Sequence, residues 1–205
     1  MLNNSLDVYI TSSGLLGPPS ISSTTPADLY SLFEANSMAP FFALKYAPPA
    51  MLKTSAQKGN YPNAAPKDKP YGSIIVVSSV ASTYGGCWGP AFTMSSHAAL
   101  GVVRAGVATL KGTGIRINCI SPGQIDIGVD LEKFDMRGLS AQFPPSSLQS
   151  AKNQREIVGL ERAGLPTEVA RVAGFLASGF SSYITGTNQI VDGGASVMNP
   201  LTVPI

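Results

Sequence analysis

Residues 72–101 read GSIIVVSSVASTYGGCWGPAFTMSSHAALG, and this run decides the fold, because an apolar strand passes through a hydroxyl-bearing turn into a long helix. Residues 73–78 carry Ile and Val without a charge, the composition of a strand buried on both faces, as in a parallel sheet. Pro90 stands where a first helical position falls, and a helical pattern continues to about Leu110. Phe92, Ser96, Leu100, Val103, Val107 and Leu110 follow at steps of three or four, so they form one stripe on that helix.

The composition narrows the function classes. With 205 residues, 44% of them hydrophobic and 13% charged, there is apolar material for one globular domain and its core. A net charge of +2 spread over single positions gives no patch for nucleic acid or anionic lipid, so neither is expected as a partner. No apolar run reaches the length of a membrane span, and the opening MLNNSLDVYI lacks the basic start and apolar core of a signal peptide. The expectation is a cytoplasmic protein. Two cysteines, Cys87 and Cys119, and a single histidine, His97, do not make a metal site.

Outward from the central run, residues 6–10 (LDVYI) read as a buried strand that leads into Thr11-Ser12-Ser13-Gly14. Thr25-Pro26-Ala27-Asp28 combines a cap hydroxyl, a proline at the first helical position and an acid three residues after the cap, which starts a helix. Pro48 and Pro49 are expected to end or kink that helix. Residues 55–70 show no periodicity and read as a solvated loop. After the central helix, Gly112 and Gly114 close the turn, residues 115–120 (IRINCI) form the next strand, and Ser121-Pro122-Gly123 follows it. A further helix opens near Pro166, and residues 188–194 (NQIVDGG) supply a last strand.

This arrangement resembles the short-chain dehydrogenases/reductases. In that family a strand ends in Ser-Ser, and a Tyr-x-x-x-Lys pair lies on the following helix, with the serine thirteen residues before the tyrosine. The same spacing here gives Ser79 for the serine, Phe92 for the tyrosine position and Ser96 for the lysine position. Thr11-Ser12-Ser13-Gly14 stands where the family carries Asn-Asn-Ala-Gly beside the cofactor cleft, and only the glycine is kept. Asn36 falls on the family's active-site asparagine, though it also reads as a polar residue at a helix break before Pro40. Pro122-Gly123 matches the turn beside the nicotinamide, while the threonine that follows in relatives is Ile127. Residues 128–150 correspond to the variable segment that covers the substrate in relatives, and residues 161–170, 183–186 and 188–194 together match the family's C-terminal signature.

The resemblance implies an α/β fold, a Rossmann-like parallel sheet with flanking helices, lacking the first strands of the dinucleotide-binding half. Residues 1–205 then form a single, truncated domain of this kind. No glycine-rich turn follows a strand in these residues, so the expectation is that no cofactor is used, with NAD(P) entering only if the chain is a conventional oxidoreductase. Phe92 has no proton to give a carbonyl oxygen. The leading expectation is therefore a small-molecule enzyme acting without hydride transfer, by cyclisation, isomerisation or dehydration, with Ser79, Asn36, Tyr84 and Asp126 as candidate catalytic residues. Two alternatives stand beside it: an NAD(P)-dependent oxidoreductase of the family, and a non-catalytic scaffold or truncated pseudoenzyme. In the family's strand order, the strand at residues 6–10 would be left with a bare edge, which predicts a homo-oligomer or a complex with a full-length relative.

Overall fold

The computed structural model describes residues 5–55, 66–85, 87–128 and 151–198. Strands β1 (Val8–Thr11), β2 (Gly72–Val77), β3 (Ile115–Pro122) and β4 (Asn188–Val191) pair in that order, all parallel, in one sheet. Ser73, Ile74, Ile75 and Val76 are each 1% exposed or less, which is why β2 reads as an unbroken apolar run and not an alternating one. Alternate side chains feed two cores. Ile74, Val76, Ile117 and Cys119 meet Ala43, Ala47, Met51, Ala99, Leu100 and Val103 of α2 (Ala39–Met51) and α3 (Pro90–Thr109). Ile75 and Ile120 meet Ala173 and Leu176 of α5 (Pro166–Ala177) on the other face. Two short helices, α4 (Ala151–Ile157) and α6 (Ala195–Met198), flank α5 and β4 in the chain.

Helix α1 (Pro26–Phe33) begins as the sequence predicts: Thr25 Oγ1 accepts from the Asp28 amide, and the Asp28 carboxylate accepts from the Thr25 amide. It passes into a single π turn, Glu34–Met38, and then directly into α2. Pro40 has no N–H to offer the carbonyl of Asn36, and the helix widens over that turn. Pro48 and Pro49, expected to end or kink the helix, lie inside α2, which continues to Met51. Met51 is fully buried and Ala47 3% exposed, so tertiary packing holds the last turn, closed by the Leu52 amide on the Pro48 carbonyl at 2.9 Å. On α3 the inward stripe also differs by one place. Val107 is 37% exposed and Gly106 faces inward instead, because a Cβ there would already press to 3.1 Å on Ile117.

The segment expected as a solvated loop is described only at its ends, where Ser55 pairs with Lys67 in an antiparallel bridge. Lys67 is 5% exposed; its ammonium donates to the Leu6 carbonyl at 2.7 Å, pairs with Asp7 at 2.9 Å and lies over the Tyr71 ring. Beyond this tie, β1 is an edge strand, with Tyr9 41% and Ile10 49% exposed. The substrate-covering segment expected at 128–150 lies outside the described residues except for Gly128. Among the described residues no helix is long and apolar enough to cross a membrane.

Candidate active site

The register Thr11↔Val76 and Val77↔Ile120 brings the carboxyl ends of β1, β2 and β3 to one end of the sheet. Ligands of open parallel sheets bind outside such ends. There stand Ser12 to Gly14 after β1, Ser78 and Ser79 after β2, and the Pro122–Gly123 turn that ends β3.

Ser79 is half-buried and extended (φ −152°, ψ 161°), the cap of a 3-10 turn over Val80–Ser82. Its Oγ accepts from the Ala81 amide at 3.2 Å, which orients the hydroxyl and leaves its proton free to donate. Tyr84 closes the same turn, its amide on the Val80 carbonyl at 3.0 Å, and its side chain is half-buried. Phe92 is half-buried in the first turn of α3, and Ser96, one turn on, is 2% exposed. Neither carries the acid or the ammonium that the resembled chemistry needs.

The other two candidates, Asn36 and Asp126, carry hydrogen bonds of their own. Asn36 lies on the π turn, 8% exposed, and its carboxamide is committed: Oδ1 accepts from the Leu15 amide at 2.7 Å, and Nδ2 donates to the Leu15 carbonyl and to Ser95 Oγ, each at 2.9 Å. With Ser37 Oγ on the Ser95 carbonyl at 2.8 Å, it braces the loop after β1 against α3. Asp126 is exposed, and its Oδ1 accepts from the Gly128 amide at 2.8 Å, the contact of a turn-forming aspartate. Its backbone continues the sheet end, the amide donating to the Gly164 carbonyl at 2.8 Å.

Other singled-out residues stand apart. His97 is exposed on α3 with Nδ1 2.9 Å from the Thr93 carbonyl. Cys119 is buried in β3, and that burial pushes its thiol up to about 11, so it is no nucleophile at neutral pH. Ile127 is 51% exposed.

Residue-by-residue reading missed a polar cluster beside Ser79. Ser82, Ser121, Asn188 and Thr83 join the turn after β2 to the ends of β3 and β4. The signal available was only that Asn188 opens the last strand and Ser121 precedes Pro122-Gly123.

A nicotinamide group fits this end of the chain in place, though not in proton chemistry. Gly14 has an ordinary φ, and a Cβ there would touch only Asn36 Oδ1 at 3.5 Å. Among the described residues nothing requires glycine there, and its bare Cα leaves room for a flat ligand at the end of β1. Gly123 is different: its Cβ would stand 2.6 Å from that of Asp192, so glycine lets the ends of β3 and β4 close on each other.

A family model described as Enoyl-(Acyl carrier protein) reductase matches residues 3–196. The chain is 31% identical to (+)-borneol dehydrogenase 2 of Salvia officinalis over 196 residues, covering 95% of this chain and 63% of that protein. It is also 31% identical to Momilactone A synthase of Oryza sativa subsp. japonica, covering 95% and 64% respectively. Among solved structures, the aldohexose dehydrogenase of Thermoplasma acidophilum superposes with a TM-score of 0.72 at 24% identity, over 98% of this chain and 72% of that one, which supports the α/β fold. The chain thus spans about 63% of the length of the first of these curated relatives. These findings overturn the expectation that no cofactor is used: the matching family model is described as a reductase and the Salvia relative is named a dehydrogenase, and the chemistry the resemblance implies is hydride exchange with NAD(P). The expectation rested on a glycine-rich turn not found in these residues. A chain that spans part of its relatives' length does not carry that inference.

Proposed function

The chain belongs to the short-chain dehydrogenase/reductase family, and from that premise we propose that it is a nicotinamide-dependent oxidoreductase of small alcohols or carbonyl compounds, working at the carboxyl ends of β1, β2 and β3. The observation that supports this most directly is the family match across residues 3–196, together with Ser79 and the Pro122–Gly123 turn standing on adjacent parallel strands. The name of the borneol dehydrogenase suggests a compact alicyclic secondary alcohol as substrate class.

In this reading the turns at Thr11 to Gly14 and Pro122–Gly123 would hold the nicotinamide, which supplies a hydride acceptor or donor. The chain's own part is orientation and proton management. Ser79, capped by the Ala81 amide, offers a hydroxyl to the substrate oxygen. Phe92 supplies an apolar wall where relatives supply a proton, and Ser96 brings no ammonium to lower a phenol's pKa. Tyr84, on the Ser79 turn, is the phenol we assign to proton exchange with the substrate oxygen. The remaining roles are structural: Asn36 as a strut and Asp126 as a turn former.

The test is direct. The protein is mixed with NAD⁺ or NADP⁺ and (+)-borneol, and nicotinamide reduction is followed at 340 nm under single-turnover conditions. Slow reduction is expected, lost in Tyr84→Phe; no reduction with either cofactor would overturn the reading. Phe92 and Ser96 favour a second reading, chemistry without net hydride transfer in the same cleft, and rearranged substrate with no change in the cofactor would support it. For assembly we propose a homo-oligomer that covers the β1 edge.

A further inference from the structure

At the ends of β2 and β3 the main-chain ladder stops with Val77↔Ile120 and the Ser78 amide on the Ile120 carbonyl at 2.8 Å. Beyond that point the strands part, and side chains carry the connection. Ser121 Oγ donates to Asn188 Oδ1 at 2.7 Å, and a carboxamide oxygen can only accept. The single proton of Ser121 is therefore spent, so in the 2.9 Å contact between Ser82 Oγ and Ser121 Oγ the donor is Ser82. Asn188 Nδ2 donates to Ser82 Oγ at 3.3 Å and to Thr83 Oγ1 at 2.9 Å. The three groups form a closed ring in which every hydrogen bond runs the same way round, Ser82 to Ser121 to Asn188 to Ser82. Ser82 is 1% exposed and Ser121 fully buried, a setting in which such bonds reinforce one another and any unpaired member is costly.

We propose that Asn188 is a positioning residue: its carboxamide clamps the turn that carries Ser79 and Tyr84 to the turn at Pro122–Gly123, and so sets the spacing between the substrate-facing hydroxyl and the nicotinamide side of the cleft. The role rests on the oxidoreductase reading, but the clamp itself does not. Only a side chain that both accepts and donates closes the ring. Asn188→Leu keeps the volume and removes both functions. Asn188→Asp accepts when ionised and cannot donate, whereas its protonated form carries one O–H and closes the ring again. Its carboxyl titrates near 4 in water and higher in a half-buried site.

Two readouts test this. The amides of Ser82, Thr83 and Tyr84, which bond to Ser79 and Val80 carbonyls, report the turn by hydrogen exchange. Relative to the unaltered protein at the same pH, exchange at these amides is expected to rise about tenfold or more in Asn188→Leu at any pH. In Asn188→Asp it should rise at pH 8 and return towards the unaltered rate near pH 5. Turnover of (+)-borneol is expected to follow the same pattern, with kcat down roughly 10- to 100-fold and KM within about twofold. Unchanged exchange in both variants, or an aspartate variant that does not recover in acid, would overturn the clamp. Faster exchange with unchanged kcat would overturn the positioning role. If the unaltered protein shows no turnover at all, the oxidoreductase reading falls, and the exchange measurements still decide the clamp.

Discussion

Asn36 Nδ2 donates to Ser95 Oγ at 2.9 Å across the junction of the π turn and α3, one position before the buried Ser96. The same amide group holds Leu15 through the backbone amide and carbonyl. Three bonds from one side chain join the loop after β1, the α1 to α2 junction and the start of α3. That arrangement makes Asn36 a determinant of where the Ser12 to Gly14 turn sits.

Asn36→Leu leaves the Leu15 amide and carbonyl without this partner, while Ser95 Oγ keeps its bond to the Phe92 carbonyl. Each unsatisfied group costs about 1–3 kcal/mol, so urea denaturation should show a loss of that order at unchanged slope. Asn36→Asp keeps the acceptor for the Leu15 amide but, when ionised, sets an oxygen against the Leu15 carbonyl, so it should lose stability at neutral pH as well and recover part of it in acid. Equal stability of all three proteins would mean that the strut carries no load.

A second expectation concerns the proton path. Replacing Phe92 by Tyr and Ser96 by Lys together should raise the rate of (+)-borneol oxidation by about 10²- to 10⁴-fold, the range for a positioned general acid or base. Phe92→Tyr alone should gain less, since without an ammonium nearby the phenol keeps a pKa near 10. Stopped-flow absorbance reads both; no gain in the double variant would place the productive proton path away from α3.

The start of α5 should respond to acid. Arg162 donates to both oxygens of Glu168, at 2.9 and 2.8 Å, and the Leu165 amide donates to Oε2 at 2.8 Å. The Arg162 contact first, then that amide, holds the Glu168 carboxyl down at about 2 against an ordinary 4.5. A lowered folded-state pKa contributes stability that is present above 4.5 and lost as the pH falls from there to about 2. Glu168→Gln should therefore melt lower than the unaltered protein at pH 7, with the gap closing over that interval. Because Arg162 is exposed, the gap should also narrow in 1 M salt.

The β1 edge gives the fourth expectation. Tyr9 and Ile10 expose apolar surface on a strand that has no outer neighbour among the described residues, a template for another strand. Light scattering at micromolar concentration should report more than one chain per particle. Ile10→Lys, a charge at the open edge, should shift the mass towards a single chain. A single-chain mass for both proteins would show that the edge recruits nothing.

How far the sequence alone reached can be seen in particular residues. The uncharged run 73–78 fixed β2 as a strand covered on both faces, since burial on two sides removes any need for alternation. Thr25, Pro26 and Asp28 located the start of α1, because capping is a contact among near neighbours. The strand, the hydroxyl-bearing turn and the helix that follows, together with the Pro122–Gly123 turn, pointed to the family that the match over residues 3–196 shows. Only the tertiary structure decided how the polar residues are used. Asn36 reaches Leu15 across 21 positions and Ser95 across 59, and Ser121 reaches Ser82 across 39 and Asn188 across 67. Local pattern reports periodicity and caps, where the partners lie within a turn or two. A hydroxyl or carboxamide bonds to whatever the packed sheet brings beside it, and that partner is set by strand order and register.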